Sequence, residues 1–320
     1  MKIERASSAG PGPGAGHEAP RLRWDIQTCA TRGPNELLWG DFHYATGLAE
    51  ALRVLGHHAE VIRRGEPESP DVDVVVHLRG NGRLPVRAGA VNVLWVISHP
   101  HDVEQSELAE SDVVFAAAER WMPWGMSITP LLQCTDPTRF YPPVSPVQHP
   151  AANRLLFVGN AREGGRKIVS DCMQLGYEPL VYGAGWQDHL PSQMVGGHYL
   201  PNEHLRFAYS AARYVLNDHW EDMAAAGFIS NRLFDVTASG GVCVSDAVAA
   251  STDLFGEAVQ TYTTLNSLRA ALEAAPPPAV DVRRIAAQVR DDHTFTRRAN
   301  ELVGAVLGRL APDGVRPSTG

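Results

Sequence analysis

The chain has 320 residues, of which 44% are hydrophobic and 20% are charged, and its formal net charge is −8. This length exceeds one ordinary hydrophobic core and fits two domains of roughly 150 residues. The acidic balance argues against a nucleic acid partner, because binding to a polyanion needs a basic surface.

The two ends of the chain differ in composition from the rest. Residues 1–20 are rich in Ala, Gly, Pro and Ser and lack the apolar run of a signal peptide, so we expect a disordered leader. We expect a short tail at 311–320. No stretch approaches the ~20 apolar residues of a membrane helix, although peripheral contact with a membrane stays open. The four cysteines are scattered without a C-x-x-C pair, which favours free thiols in a cytoplasmic protein.

Strand-like and helical segments alternate through the first half. A helix is predicted over 40–56, because the apolar positions 44, 48, 51, 52 and 55 share one face and Gly56 can end it. Strands are predicted at 24–30, 58–63, 71–78, 91–98, 112–116 and 128–133. This alternation predicts a parallel, doubly wound sheet. We therefore assign 21–146 to an N-terminal Rossmann-like domain.

Two loops of this half follow predicted strands, where such sheets bind ligands. One carries Gly40, Asp41 and His43, and the other runs from Ser98 to Asp102 with His99 inside it. A histidine there can contact a sugar hydroxyl or act as a base near neutral pH, or it can merely cap local backbone. Asp41 is a candidate base, with an N-terminal helix cap as the alternative.

The second half repeats the α/β alternation. Strands are predicted at 154–160, 178–183, 214–217 and 258–262, with another that ends at Asp246. Helices are predicted up to about 175, over 200–213, from Asn231, over 266–274, and over 281–310 with an interruption near 293–295. We assign 147–280 to a second Rossmann-like domain and expect helix 281–310 to pack back on the first.

A cationic, glycine-containing loop follows the strand at 154–160. Gly159 and Asn160 lead into a stretch with Arg162, Arg166 and Lys167, whose charges could neutralise a diphosphate while the glycines let backbone approach it. The spacing is neither that of a P-loop nor a G-x-G-x-x-G fingerprint. The alternative is a solvated basic turn. The next strand ends at Gly183, and Trp186 beyond it could stack on a base or simply pack.

The segment 230–246 combines a loop, a helix, a small-residue turn and a strand. Asn231 can cap the helix and leave backbone N–H groups free for an anion, and Arg232 follows it. Asp235 lies about one turn further along, where a carboxylate could meet a ribose hydroxyl. The pattern indicates a nucleotide-sugar pocket, with an ordinary αβ connection as the alternative.

The order of these motifs resembles that of a known family. The residues concerned are Leu216-Asn217, 231–235 with 238–241, 253–255, and 293–295 with Arg297-Arg298. They resemble the spore-maturation-type branch of the glycosyl transferases group 1 superfamily, and the chain as a whole resembles a GT-B glycosyltransferase. The likeness extends to 157–160 with Arg162 and Lys167 and, more loosely, to 94–100.

The resemblance implies two Rossmann-like domains facing a cleft, with a nucleotide-sugar donor in the second and an acceptor in the first. It implies no metal and no further cofactor, since cations and a helix N-terminus would stabilise the leaving diphosphate. A UDP-sugar is favoured, the acceptor being a glycan, a lipid-linked compound or a small molecule, and the protein a monomer or homodimer. The candidate catalytic residues are His99, His43 and Asp41. The candidate donor-binding residues are Gly159, Asn160, Arg162, Lys167, Gly183, Asn231, Arg232 and Asp235.

One feature departs from that family. Many retaining relatives carry Glu-x7-Glu in this region; Asp235 can stand for the second acid, but Gly227 occupies the first position. The stereochemical outcome therefore stays open. So do two alternatives, a catalytically inactive nucleotide-sugar or glycan binding module and a sugar-nucleotide epimerase of the same shape. We expect Lys167→Ala to lose turnover with little loss of fold.

Overall fold

The computed structural model describes residues 20–249 and 251–311, so nearly all of the predicted leader and tail lies outside the described residues. The described chain forms two six-stranded sheets, and every strand pairing within them is parallel. Helices flank both sheets. The predicted fold class, α/β with two doubly wound parallel sheets, is confirmed.

The first sheet has the strand order β2-β1-β3-β4-β5-β6. Its strands are β1 (Arg23–Thr28), β2 (His58–Arg63), β3 (Val74–Arg79), β4 (Val91–Val96), β5 (Val113–Ala116) and β6 (Thr129–Pro130), accompanied by helices α1 (Gly40–Val54) and α2 (Gln105–Glu110). All six residues of β3 are buried, as expected of a central strand covered on both faces. Strand β6 is much shorter than the predicted 128–133, and it ends at Pro130, which has no N–H for a longer ladder.

The second sheet has the order β12-β11-β10-β7-β8-β9. Its strands are β7 (Leu155–Val158), β8 (Leu180–Tyr182), β9 (Val195–Gly197), β10 (Tyr214–Asn217), β11 (Cys243–Asp246) and β12 (Val259–Tyr262). The helices are α3 (Lys167–Gln174), α4 (Asn202–Ala211), α5 (Glu221–Ala226), α6 (Asn231–Ala238), α7 (Ser251–Phe255), α8 (Leu265–Glu273), α9 (Ala279–Asp292) and α10 (Phe295–Leu310). The sequence did not predict β9, a Val-Gly-Gly strand whose Gly196 lies directly against the ring of Tyr182.

The segment predicted as one interrupted helix over 281–310 is two helices on different cores. Thr294 caps α10 by accepting the N–H of Arg297 at 3.2 Å. Helix α9 packs on α6 beside the second sheet, whereas α10 buries Leu302 and Val306 in the core of the first sheet. Helices α1 and α10 approach closely, because Gly47 leaves room for the ring of Phe295.

Two connections between the sheets run side by side. The N–H of Thr135 donates to the carbonyl of His293 at 2.9 Å, and that of Phe295 donates to the carbonyl of Thr135 at 3.3 Å. Arg298 donates to the carbonyl of Leu132 at 2.6 Å and so ties α10 to the same strip. The sheets are thus joined along one edge of the cleft between them. None of the helices within 20–249 and 251–311 combines the length and apolar character that a bilayer crossing needs.

Candidate functional site

A cleft of about 790 Å³ lies where the carboxyl ends of the two sheets meet. Loops after β1 and β4 form one wall, and the loops after β7, β8 and β10, with the start of α6, form the other. The lining includes every predicted site residue except Lys167, namely Asp41, His43, His99, Gly159, Asn160, Arg162, Gly183, Asn231, Arg232 and Asp235. The two halves of the sequence pattern therefore meet in one space.

Two guanidinium groups share one buried carboxylate on the second-sheet side. Arg166 donates to Asp218 Oδ1 at 3.0 Å and to the carbonyl of Asn160 at 2.9 Å. Arg162 lies 3.5 Å from Asp218 Oδ2 and donates to the carbonyl of His219 at 3.1 Å. Burial lowers the pKa of Arg166 to about 10, so it remains cationic at neutral pH. Two cations against one anion leave a net positive charge for a bound anion.

Lys167, by contrast, lies outside the cleft. Its side chain is 74% exposed and pairs with Asp171, one turn further along α3, at 2.5 Å. Arg166 precedes the helix in extended conformation, so its side chain departs in a different direction from that of Lys167. The structure thus places Arg166, rather than Lys167, beside Arg162.

The start of α6 also differs from the prediction. Ser230, not Asn231, caps the helix by accepting the N–H of Arg232 at 3.3 Å. Asn231 is the first helical residue, and its amide donates to the carbonyl of Cys134 at 2.7 Å. Asn231 therefore ties this helix to the segment that joins the sheets, while the N-terminus of α6 still faces the cleft.

A buried histidine fixes the residue before that helix. The Nε2 atom of His219 accepts the N–H of Ser230 at 3.0 Å, and its Nδ1 lies 2.7 Å from Asp246 Oδ1. Because Nε2 accepts, Nδ1 carries the proton and donates to the carboxylate. The sequence does not predict this pair. The Asp218-His219 dipeptide directly after β10 was the available signal, but its partner Asp246 lies 27 residues further on.

Arg232 fastens two strand ends together. Its guanidinium donates to Asn217 Oδ1 at 2.7 Å and to the carbonyl of Val158 at 2.6 Å. A Cβ at Gly159 would lie 2.9 Å from the Arg232 Nη2 atom, so glycine makes room for this contact. Arg232 contributes to the cleft mainly by positioning the ends of β7 and β10.

The loops after β7 and β8 lie against each other. Asn160 Oδ1 accepts the N–H of Ala184 at 2.9 Å, and its Nδ2 donates across the cleft to the carbonyl of Leu38 at 3.3 Å. Trp186 is buried and donates to the carbonyl of Gly159 at 2.8 Å. Its indole therefore packs the loop and does not stack on a ligand.

Gly183→Ala is expected to unfold at clearly lower denaturant concentration. A Cβ at Gly183 would overlap the backbone of Gly159, and φ there is +145°. Overpacking and backbone strain together should reduce the free energy of unfolding by about 2–4 kcal/mol, measured by urea titration. Gly164→Ala is the matched control, because its φ is +79° with no atom within 4 Å, so strain alone should cost about 1 kcal/mol. Equal losses in the two variants would contradict the close approach.

Asp235 lies buried at the base of the cleft, one turn into α6. Its Oδ1 accepts the hydroxyl of Thr135 at 2.7 Å, so the acid also touches the segment joining the sheets. Burial raises the pKa of this carboxyl to about 8 from 3.8. Asp235 is therefore largely protonated at neutral pH.

This shift predicts a pH dependence of stability. A raised folded-state pKa contributes stability that is complete below about pH 4 and is lost as the pH rises through about 8. The melting temperature should therefore fall between about pH 4 and pH 8, and Asp235→Asn should flatten this slope because its amide stays neutral. Differential scanning calorimetry measures it, with the exposed Asp253→Asn as control. An unchanged slope in Asp235→Asn would assign the loss to other groups.

On the first-sheet side, Asp41 lines the cleft. It occupies the first turn of α1, half-buried against Gly80, and its carboxylate accepts no hydrogen bond from any residue the structure describes. Burial raises the pKa of its carboxyl to about 6. An unpaired acid that titrates near neutrality suits a proton acceptor.

The two candidate catalytic histidines, His43 and His99, differ in the contacts that their rings make. His43 Nε2 lies 3.0 Å from the carbonyl of Leu37, and since a carbonyl only accepts, this nitrogen carries the proton. This contact is the capping of local backbone that the sequence left open as the alternative to a catalytic role. His99 has φ 50° and places its ring 4.9 Å from Trp220. Burial lowers the pKa of His99, so it is neutral at physiological pH and available for hydrogen bonding.

Gly227 stands at the first position of the Glu-x7-Glu spacing considered above. It ends α5 with φ 77°, a left-handed conformation that favours glycine. No cluster of three or more His, Cys, Asp or Glu side chains suited to a metal occurs among the described residues.

Comparison with known proteins agrees with this architecture. Residues 162–304 match a family model described as glycosyl transferase-like. The fold resembles that of AviGT4, a glycosyltransferase involved in avilamycin A biosynthesis, at TM-score 0.59 and 16% identity over 90% of this chain and 98% of that one. It also resembles sucrose-phosphate synthase from Thermosynechococcus elongatus, at TM-score 0.57 and 13% identity over 91% and 98%.

A third similar structure is Anabaena HepE in complex with UDP-glucose, at TM-score 0.54 and 11% identity over 90% of this chain and all of that one. No curated protein matches the chain. At such identities the likeness concerns the fold, which is the GT-B fold of glycosyltransferases.

Proposed function

We propose that the protein transfers a sugar from a nucleoside diphosphate donor to an acceptor hydroxyl. The observation that carries this proposal is the arrangement of one cleft. Arg162, Arg166 and the N-terminus of α6 converge on one wall, and Asp41 and His99 lie on the other. Excess positive charge suits a departing diphosphate, while an acid of raised pKa opposite it suits an acceptor hydroxyl.

The donor would bind along the second-sheet side. Arg162, Arg166 and the N-terminus of α6 would hold the diphosphate, so the mechanism we propose needs no metal and no other cofactor. The loop at Gly183 would approach the base, and Asp235 would meet the ribose. We favour a uridine donor because solved structures of the same fold hold UDP-glucose or UDP.

The acceptor would be activated from the first sheet. Asp41 would take the proton of the attacking hydroxyl, and neutral His99 would contact the transferred sugar. Since glycine stands at position 227, where the resemblance would place the first acid of Glu-x7-Glu, we propose an inverting reaction in which the acceptor attacks opposite the leaving diphosphate. Holding donor and acceptor in one cleft would supply much of the rate by orientation.

The finer assignments rest on the sequence motifs. We place the chain with the spore-maturation-type glycosyltransferases on the residues from Asn231 to Asp235 and from His293 to Phe295. We place the reaction in the cytoplasm, where the four free, buried cysteines would stay reduced.

Nucleotide binding and product formation test the proposal. UDP should raise the melting temperature more than ADP or GDP does. At a UDP concentration of one hundred times Kd, binding should add about 2.7 kcal/mol to the free energy of unfolding. UDP-sugars incubated with candidate acceptors should then release UDP and a glycosylated product, followed by mass spectrometry. Binding of UDP without any release would favour the inactive binding module, which the glycine at position 227 keeps as the second candidate.

A further inference from the structure

An apolar wall projects into the acceptor side of the cleft. It consists of Leu37, Leu38 and Trp39, which follow β1 and precede α1. Leu37 is 52% exposed, and its two neighbours are half-buried. Three consecutive large apolar residues at the mouth of a cleft offer area that a ligand can cover.

Polar contacts hold this wall in place from behind. Glu36, the residue before it, pairs with Arg63 at 2.6 Å. The carbonyl of Leu37 receives the His43 ring, and the carbonyl of Leu38 receives the Asn160 amide from the opposite side of the cleft. The backbone is thus fixed while the apolar side chains stay uncovered. A preorganised surface binds without the entropy cost of ordering a loop.

The same side of the cleft offers an anion no unpaired arginine or lysine within the part of the chain that the structure describes. Among the described residues, the only arginine or lysine that the first half contributes to the lining is Arg139, which pairs with Glu50 at 2.8 Å and Asp136 at 3.0 Å. Asp41 adds negative charge when ionised, and His99 is neutral at physiological pH. A phosphorylated or carboxylated acceptor would lose its hydration there without gaining a counter-ion.

We infer that the acceptor is an uncharged hydroxyl compound with an apolar body, seated against Leu37, Leu38 and Trp39 with its hydroxyl toward Asp41. This inference rests on the proposed function, because it names the acceptor of that reaction. A neutral glycan fits these three side chains less well, because the two leucines cannot hydrogen-bond its hydroxyl groups.

Isothermal titration with three probes tests the inference: 2-naphthol as an uncharged apolar hydroxyl compound, maltose as a neutral glycan and glucose 6-phosphate as an anion. Each is titrated into the full chain, with and without saturating UDP. We expect 2-naphthol to bind more tightly than the other two. Leu37→Asp should weaken the binding of 2-naphthol by about tenfold or more, because the substitution removes an apolar contact with the ligand.

Leu310→Asp is the matched control, since Leu310 is 49% exposed at the end of α10, outside the cleft. It should leave 2-naphthol binding unchanged, and neither variant should alter UDP binding. Tighter binding of maltose or glucose 6-phosphate, no binding of 2-naphthol, or equal binding by Leu37→Asp and wild type would overturn the inference. If the wild-type protein binds 2-naphthol at the wall but does not bind UDP, the result would instead count against the proposed function.

Discussion

Arg166→Ala is expected to lower kcat/KM for donor consumption by about 100-fold or more and to weaken UDP binding by about tenfold. Arg166 carries one of the two guanidinium groups that give the Asp218 cluster its net positive charge. Without it, Arg162 and Asp218 cancel, and the cluster no longer offers surplus positive charge to the leaving diphosphate. Steady-state kinetics and UDP titration measure the two effects separately.

The neighbouring lysine provides a sharp control. Lys167→Ala removes the same charge one residue further on, from a side chain that is 74% exposed. Its turnover should stay within about twofold of wild type, because an exposed ion pair contributes little. A loss equal to that of Arg166→Ala would contradict the assignment and restore the expectation drawn from the sequence.

Stability must be measured alongside, because Arg166 is buried. Arg166→Ala leaves Asp218 with only the longer contact to Arg162, and a half-paired buried acid destabilises the fold. Arg166→Lys retains the charge but loses the planar fork that reaches both Asp218 and the carbonyl of Asn160. We expect this variant to fold like wild type in thermal unfolding and to bind UDP more weakly.

The fold was predictable because its signal is local. The strand Val74–Arg79 is buried on both faces, and its run of valines predicts such a central strand. The strand β9 was not predictable in the same way. Its Val-Gly-Gly sequence has low strand propensity, and Gly196 is there because the Tyr182 ring occupies the space of a side chain. A tertiary contact, invisible along the chain, decides that strand.

The loops that line the cleft could be predicted from the sequence, but the side chains that each loop directs into the cleft could not. Ser230 and Asn231 are both good capping residues, and only the backbone conformation shows which one caps. Arg166 and Lys167 are both cations, and only the start of α3 determines which one faces the cleft. The sequence therefore indicated loops that line the cleft, while the direction of each side chain depended on where a helix begins.

Contacts between residues far apart in the sequence account for the other features of the site that could not be predicted. His219 meets Asp246, and Asp235 meets Thr135 a hundred residues earlier, so neither pair has a spacing that a motif could show. The second contact gives Asp235 two neighbours of different kinds, the cleft and the segment between the sheets. Its raised pKa follows from that burial, not from its position in the helix.

Asp41→Asn is expected to reduce kcat by about 100-fold to 10,000-fold, the range lost with a general base, while UDP affinity stays unchanged. Asp41 lies on the first-sheet wall, away from the arginines that would hold the diphosphate. Asparagine keeps the shape of the side chain against Gly80 but cannot accept the proton. Kinetics with a UDP-sugar and an acceptor measure kcat, and titration measures UDP affinity.

The pH profile tests the assignment independently. The base must be ionised, so kcat should fall as the pH drops through about 6, the value to which burial raises the pKa of Asp41. Asp41→Asn should lose this break. Asp102→Asn, which removes an exposed acid from the neighbouring loop outside the cleft, should keep it. If the break survives in Asp41→Asn, a different group takes the proton, and His99, whose ring faces the same cleft, becomes the residue to replace next.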